Sequence, residues 1–202
     1  MHTIINVGRS FGSGGGYVGQ AIAQKLGIPF YDNELISKAA EENGYSKDLF
    51  TGGEKKRSIF SASSFFTSGR MSYMDGAYVN DDILFKAQSE VIRSIAEKGD
   101  AVIIGRCADY ILRDLPCLNV FVGGPEEYRI RRLMESEGLS ADDAEALMRR
   151  KDRTRQTYYN YYTFGAWGVA SNYHLCVDSS ILGIEGTADF IIDFGRRAGR
   201  IR

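Results

Sequence analysis

Short unbroken apolar runs alternate along the chain with stretches whose apolar residues return every three or four positions. Thr3–Val7 is a β-rich run and reads as a buried strand. Val18, Ile22 and Leu26 then recur at helical spacing, with Gly27 as the stop. Ile28–Tyr31 suggests a second short strand, and Asn33 to about Asn43 a helix. Asn80, Asp81 and Asp82 offer a cap to a helix whose apolar face is Leu84, Ala87, Val91 and Ile95. Ala101–Ile104 and Leu118–Val122 are continuous runs of the kind found in central strands buried on both faces. Pro125 and Glu126 open another helix, and Ser140 with Asp143 is an acidic variant of a capping box before a long one. Leu175–Val177 reads as the last strand and Ile184 to Phe194 as the last amphipathic helix. This alternation predicts an α/β fold with a parallel sheet.

The stretch from Gly52 to Tyr78 breaks the pattern. It is rich in Ser, Gly, Phe and Tyr and has no period. It fits a mobile insert or lid, and equally a surface loop pinned to the core by its phenylalanines. The chain of 202 residues suits one domain with room for a small inserted lobe. At 44% hydrophobic and 25% charged it has material for a sizeable core. The net charge of −1 gives no global field toward nucleic acid or anionic lipid, so any polyanion must be recognised by local clusters. The apolar runs are too short to span a membrane, and the N-terminus enters a strand without signal-peptide architecture. Cys107, Cys117 and Cys176 are odd in number and widely spaced, matching neither a disulfide framework nor a zinc site. A reduced, cytoplasmic protein is the expectation. The basic tail Arg196, Arg197, Arg200 and Arg202 reads as a solvated helix end.

The chemistry concentrates first at Gly8-Arg9-Ser10-Phe11-Gly12-Ser13-Gly14-Gly15-Gly16-Tyr17, between a strand and a helix. Glycines let successive amides point at one anion, and the helix N-terminus adds its positive end. Gly14, Gly16 and Gly19 match G-x-G-x-x-G, and Asp32 lies near the place of a ribose-binding acid, which would suit a dinucleotide. That motif begins directly after its strand, whereas here about half a dozen residues separate Val7 from Gly14. A loop that wraps a phosphate needs the extra length. Read as a phosphate loop, however, the segment has Gly15 at the lysine position, Gly16 at the Ser/Thr position and Arg9 where the first glycine belongs. A turn with no ligand would need fewer than the five glycines between positions 12 and 19.

Two further groups follow. Gly105-Arg106 stands directly after the central strand, where α/β sheets place ligands, and an arginine there can fork onto a phosphate or end a strand in a salt bridge. Arg149-Arg150-Lys151-Asp152-Arg153-Thr154-Arg155 puts five cations in seven residues and leads into Tyr158, Tyr159, Tyr161, Tyr162, Phe164 and Trp167. Such a run could close over a nucleotide, stack single-stranded nucleic acid, or simply cover the sheet edge.

With these pieces in order, the chain resembles the cytidylate kinase-like family of P-loop nucleoside monophosphate kinases. The resemblance runs through Arg9-x-x-Gly12-Ser13-Gly14-Gly15, Ile28-Pro29-Phe30-Tyr31-Asp32, Ile103-Ile104-Gly105-Arg106 and Asn119-Val120-Phe121-Val122 with Arg131-Arg132. It continues in Asp152-Arg153-x-Arg155 with Tyr158-Tyr159 and ends in Val177-Asp178-Ser179-Ser180. It implies a P-loop kinase fold with an acceptor-binding insert at about 33–80 and a lid at about 149–168. It implies ATP and Mg²⁺ as cofactors and nucleotides as small-molecule partners, with neither nucleic acid nor membrane. Homo-oligomerisation is left open. Asp32 would shape the monophosphate site, Arg106 would hold the acceptor, and Arg153 and Arg155 would reach the transferring phosphoryl group. The amides of Gly12 to Gly16, with Ser13 and Tyr17, would cradle the donor β-phosphate, and Arg9 would supply the missing lysine's charge. The sequence departs from the family at Gly15, at Gly16 and at Ile104 and Cys107, where aspartates flank the Gly-Arg element. Ser10, Ser13 and Tyr17 remain as substitutes for the hydroxyl that would hold Mg²⁺. These departures make a non-catalytic nucleotide-binding protein the rival reading and a dinucleotide-dependent oxidoreductase a third.

Overall fold

A computed structural model describes residues 2–42 and 75–202. Five strands form one all-parallel sheet: β1 (Ile4–Arg9), β2 (Phe30–Tyr31), β3 (Ala101–Ile104), β4 (Leu118–Gly123) and β5 (Leu175–Asp178). Their spatial order is β2-β3-β1-β4-β5. Thus β1 lies between β3 and β4, with Val7 opposite both Ile104 and Val120. In the dinucleotide-binding arrangement β1 lies beside β2, so the order counts against that reading of the glycines.

Helices cover both faces, which is why the central strands are largely apolar rather than alternating. On one face Ile5, Val7, Val102, Ile104 and Val120 pack under α1 (Gly15–Leu26) and α7 (Ser179–Arg197). On the other, Ile4, Ala101 and Ile103 pack with Ile36, Val91, Ile92 and Tyr159. These last side chains come from α2 (Asn33–Glu42), α3 (Asp75–Lys98) and α6 (Ala141–Thr163). Between them lie the short α4 (Ala108–Ile111) and α5 (Glu126–Glu137). Asn6, buried in β1, donates across the sheet to its register partner Asn119 at 2.8 Å.

The boundary signals act as expected at several ends. Gly27 closes α1 with φ 64°, and the Ser140 hydroxyl accepts from the Asp143 amide at 3.2 Å. Other readings need correction. Helix α3 begins at Asp75, so Asn80, Asp81 and Asp82 lie inside it and not at its N-terminus. Ile184 is not the start of the last helix but its restart, because α7 begins at Ser179 and breaks at Gly183 (φ 66°, ψ −172°). Arg200 is no freely solvated tail residue: it donates to the Cys117 carbonyl at 2.7 Å, beside buried Ile201. Most of the irregular stretch from Gly52 to Tyr78 lies outside the described residues. Among the described residues no helix is long and apolar enough to cross a membrane.

Candidate phosphate-binding site

The carboxyl ends of β1, β3, β4 and β5 meet at one edge of the sheet, and the glycine segment spans it from Arg9 to the first turn of α1. Gly14 is the helix N-cap, with φ 77°. Left-handed backbone there is readily adopted only by glycine, and a Cβ would also lie 2.5 Å from Ile184 Cδ1. The loop is braced from beneath. The buried Ser13 hydroxyl sits within donating distance of the Ser10 and Val122 carbonyls, at 2.9 and 3.0 Å, and accepts from the Gly15 amide at 3.2 Å. The Ser179 hydroxyl lies 2.6 Å from the Ser13 carbonyl and 3.0 Å from that of Gly123. Ser13 thus shapes the loop through its side chain and is turned away from the mouth. The amides of Gly12, Gly14, Gly16 and Tyr17 donate to no protein group among the described residues, which is the pattern an anion cradle requires.

Arg9 crosses this cradle. A Cβ at Gly15 would lie 2.7 Å from the Arg9 Cβ, so position 15 has no room for a side chain while Arg9 is in place. The arginine then runs past Gly16, whose Cβ would lie 3.8 Å from Nε, to within 3.7 Å of a Cβ built at Gly105. The charge that a lysine at 15 would carry is delivered from position 9 instead. Burial, then the charges of Arg155 and Arg106, hold the Arg9 pKa down to about 9, with Asp32 opposing.

Arg155, from the middle of α6, donates to the Arg9 carbonyl at 3.1 Å and lies over the Phe11 ring at 5.1 Å. Its pKa is lowered by burial, an effect countered by Asp152 and reinforced by Arg106 and Arg129. Arg106 sits on a turn in which Gly105, Arg106 and Cys107 all have positive φ, at 66°, 55° and 56°. Two such non-glycine residues in succession cost about 1–3 kcal/mol each, a strain typical of functional turns. The guanidinium lies over the Tyr158 ring at 5.6 Å, and buried Cys107 has its thiol pKa pushed up to about 12, mainly by desolvation. Such a thiol is no nucleophile at neutral pH.

Two residues without an assigned role in the sequence reading complete the framework. Asp152 accepts from the Phe11 amide at 2.7 Å and pairs with Arg129, which itself donates to the Phe11 carbonyl at 3.2 Å. Both backbone groups of Phe11 are therefore held by side chains of α5 and α6. The available signals were a lone acid in the basic run and Arg129 four residues before Leu133, the two buried positions of α5. Arg153 is not brought to the loop. It is exposed, about 200° around α6 from Arg155. Asp32 lies within electrostatic reach of Arg9 and caps α2, accepting from the amides of Glu34 and Leu35 at 3.0 Å each. Tyr17 is 60% exposed, with Arg132 5.9 Å from its ring. Of the aromatic run, Tyr159 is buried and Tyr158, Tyr162 and Trp167 pack against the core, so these cover the sheet, whereas Phe164 is 92% exposed.

A magnesium ion of the kind P-loop kinases hold finds little here. Position 16 has no hydroxyl, Ser13 is turned inward, β3 is followed by Gly105-Arg106-Cys107, and Asp178 caps α7 at the Ser180 amide at 2.8 Å. Among the described residues no three His, Cys, Asp or Glu side chains are grouped to hold a metal. The residues present do not fit a protein-held Mg²⁺.

The likenesses to other proteins agree with this geometry. A cytidylate kinase from Aeropyrum pernix is 30% identical over 106 residues, which are 52% of this chain and 61% of that protein, so less than two thirds of its length is matched. A solved structure of an uncharacterized protein from Eubacterium ventriosum is 28% identical with a TM-score of 0.75, covering 98% of this chain and 99% of the other. A shikimate kinase from Bacteroides thetaiotaomicron shares the fold at 14% identity, with a TM-score of 0.56 over 97% of this chain and 99% of its own. The profile of the cytidylate kinase-like family matches residues 4–181, and with the glycine loop, the Gly105-Arg106 turn and the Asp152–Arg155 segment all at one sheet edge, this chain belongs to that family.

Proposed function

We infer that the chain transfers the terminal phosphoryl group of ATP to a small acceptor, a nucleoside monophosphate such as CMP or dCMP. The observation that carries this reading is the meeting of Arg9, Arg106 and Arg155 above unpaired loop amides. Counting Arg129, four guanidiniums interact there with two carboxylates, Asp32 and Asp152. The surplus of positive charge calls for a polyanion. Phosphoryl transfer asks mainly for positioning and charge neutralisation. In this reading the amides of Gly12, Gly14, Gly16 and Tyr17 orient the donor phosphates and Arg9 spans them. Arg106 holds the acceptor phosphate, and Arg155 stabilises charge on the group in flight.

Glycine at both 15 and 16 favours a second reading, a nucleotide-binding protein without catalysis. One experiment separates them. Purified protein is incubated with ATP, with and without Mg²⁺, and a panel of nucleoside monophosphates, and diphosphate products are measured. Turnover with one or more acceptors supports the kinase. ATP binding without turnover for any acceptor sinks it in favour of the non-catalytic reading.

A further inference from the structure

Where the usual lysine, hydroxyl and metal ion would stand in a phosphate loop, this chain has placed arginine. The Arg9 side chain runs along Gly15 and past Gly16, and its guanidinium ends beside Gly105. At Gly16, the direction in which a serine or threonine would project toward a metal has Arg9 Nε 3.8 Å from the Cβ position. Arg155 and Arg106 are close enough to Arg9 to disfavour its charge, so a divalent cation at the same spot would be repelled by three guanidiniums. Several of the nearby oxygens are already engaged and can offset little of that repulsion. Ser13 Oγ is spent on the Ser10 and Val122 carbonyls, one Asp178 oxygen caps α7, and one oxygen of Asp32 accepts two amides of α2. A planar fork with several N–H donors matches bare phosphate oxygens better than oxygens already bound to a metal.

We propose that the site recognises the metal-free nucleoside triphosphate, with Arg9, Arg106 and Arg155 taking the place of both the loop lysine and the protein-held Mg²⁺. The proposal rests on the nucleotide-kinase reading above and specifies which form of the donor that site selects. Complexation with Mg²⁺ removes two negative charges from the triphosphate and occupies the oxygens that the arginines need. Metal therefore competes with the protein for the ligand instead of bridging the two.

The test is calorimetric titration of the wild-type chain with ATP in EDTA and with ATP in excess Mg²⁺ at matched ionic strength, with no acceptor present. Binding in EDTA at least as tight as in Mg²⁺ is expected. Binding that tightens on adding Mg²⁺ overturns the proposal and leaves the kinase reading standing. Absence of binding in both conditions overturns the two together. The Arg9→Gly variant, checked for native circular dichroism, should bind metal-free ATP at least tenfold more weakly and gain affinity from Mg²⁺. A variant that binds metal-free ATP as wild type does removes Arg9 from the explanation. The wild-type comparison decides the proposal whether or not the variant folds.

Discussion

At the scale of single residues, the exchange between positions 9 and 15 explains most of what is unusual in this loop. Restoring the missing lysine should not help the protein. In Gly15→Lys the new Cβ would stand 2.7 Å from the Arg9 Cβ and 3.1 Å from the Val122 Cβ. Crowding of this kind costs about 1–3 kcal/mol, so the variant should unfold at lower urea concentration than wild type with an unchanged slope. If Arg9 binds the anion as proposed, binding should also depend on pH in an unusual window. Its pKa is about 9 in the fold against 12.5 for the free side chain. Across that interval the unfolded chain binds more protons, so this group adds stability to the empty protein as pH rises, and its destabilising effect is fully present below about pH 9. Anion binding runs the opposite way, because it needs the proton. Affinity for ATP should fall as pH rises from about 7 to about 10, and the fall should flatten in Arg9→Ala. A flat wild-type profile would detach binding from the ionisation of Arg9.

At the scale of elements, α6 is a strut that ties the loop to the helical face of the sheet. Asp152 and Arg155, three residues apart, share one side of it and hold Phe11 and Arg9. Their roles differ. Asp152→Ala leaves Arg129, only 10% exposed, without its carboxylate and frees the Phe11 amide. Breaking a largely buried pair in this way should cost about 3–5 kcal/mol in chemical denaturation. Arg155→Ala removes a cation from the binding edge and should lower kcat/KM about 10- to 100-fold, the worth of one hydrogen bond to a charged group. Arg153→Ala, on the exposed face of the same helix, should change kcat/KM less than twofold, a near-neutral effect typical of solvated surface charges. Equal losses at 153 and 155 would mean that the two faces of α6 both reach substrate during turnover.

At the scale of the whole molecule, the loop draws on nearly every element at the carboxyl edge of the sheet. Ser179 reaches it from α7, Arg129 from α5 and Asp152 from α6, and Arg106 flanks it from the turn after β3. A ligand that engages this edge should therefore stabilise the fold as a unit. ATP at about 100 times its dissociation constant should add about 2.7 kcal/mol, or about 5–10 °C in Tm for a chain of this size. NAD should leave Tm unchanged, since the strand order is not that of a dinucleotide-binding sheet. A rise with NAD and none with ATP would return the glycines to their other motif.

The class of fold and the place of the loop were legible in the sequence for a local reason. Unbroken apolar runs such as Ala101–Ile104 are stable only as strands covered on both faces, and a glycine cluster between such a strand and a helix can form a nest of amides without tertiary help. The family resemblance supplied Arg106 and Arg155 by motif order. What the sequence could not settle were relations between distant positions. That Arg9 lies over Gly15, that Asp152 holds Phe11 141 residues away, and that Arg153 turns outward while Arg155 turns in are set by how α6 sits against the loop that follows β1. The same holds for Ser13, whose hydroxyl points at Val122 across the sheet and away from the anion site. Local pattern determined the scaffold and its candidate phosphate-binding edge. Only the tertiary structure decided which side chains supply the charge there, because direction around a helix and room beside a backbone depend on what packs against them.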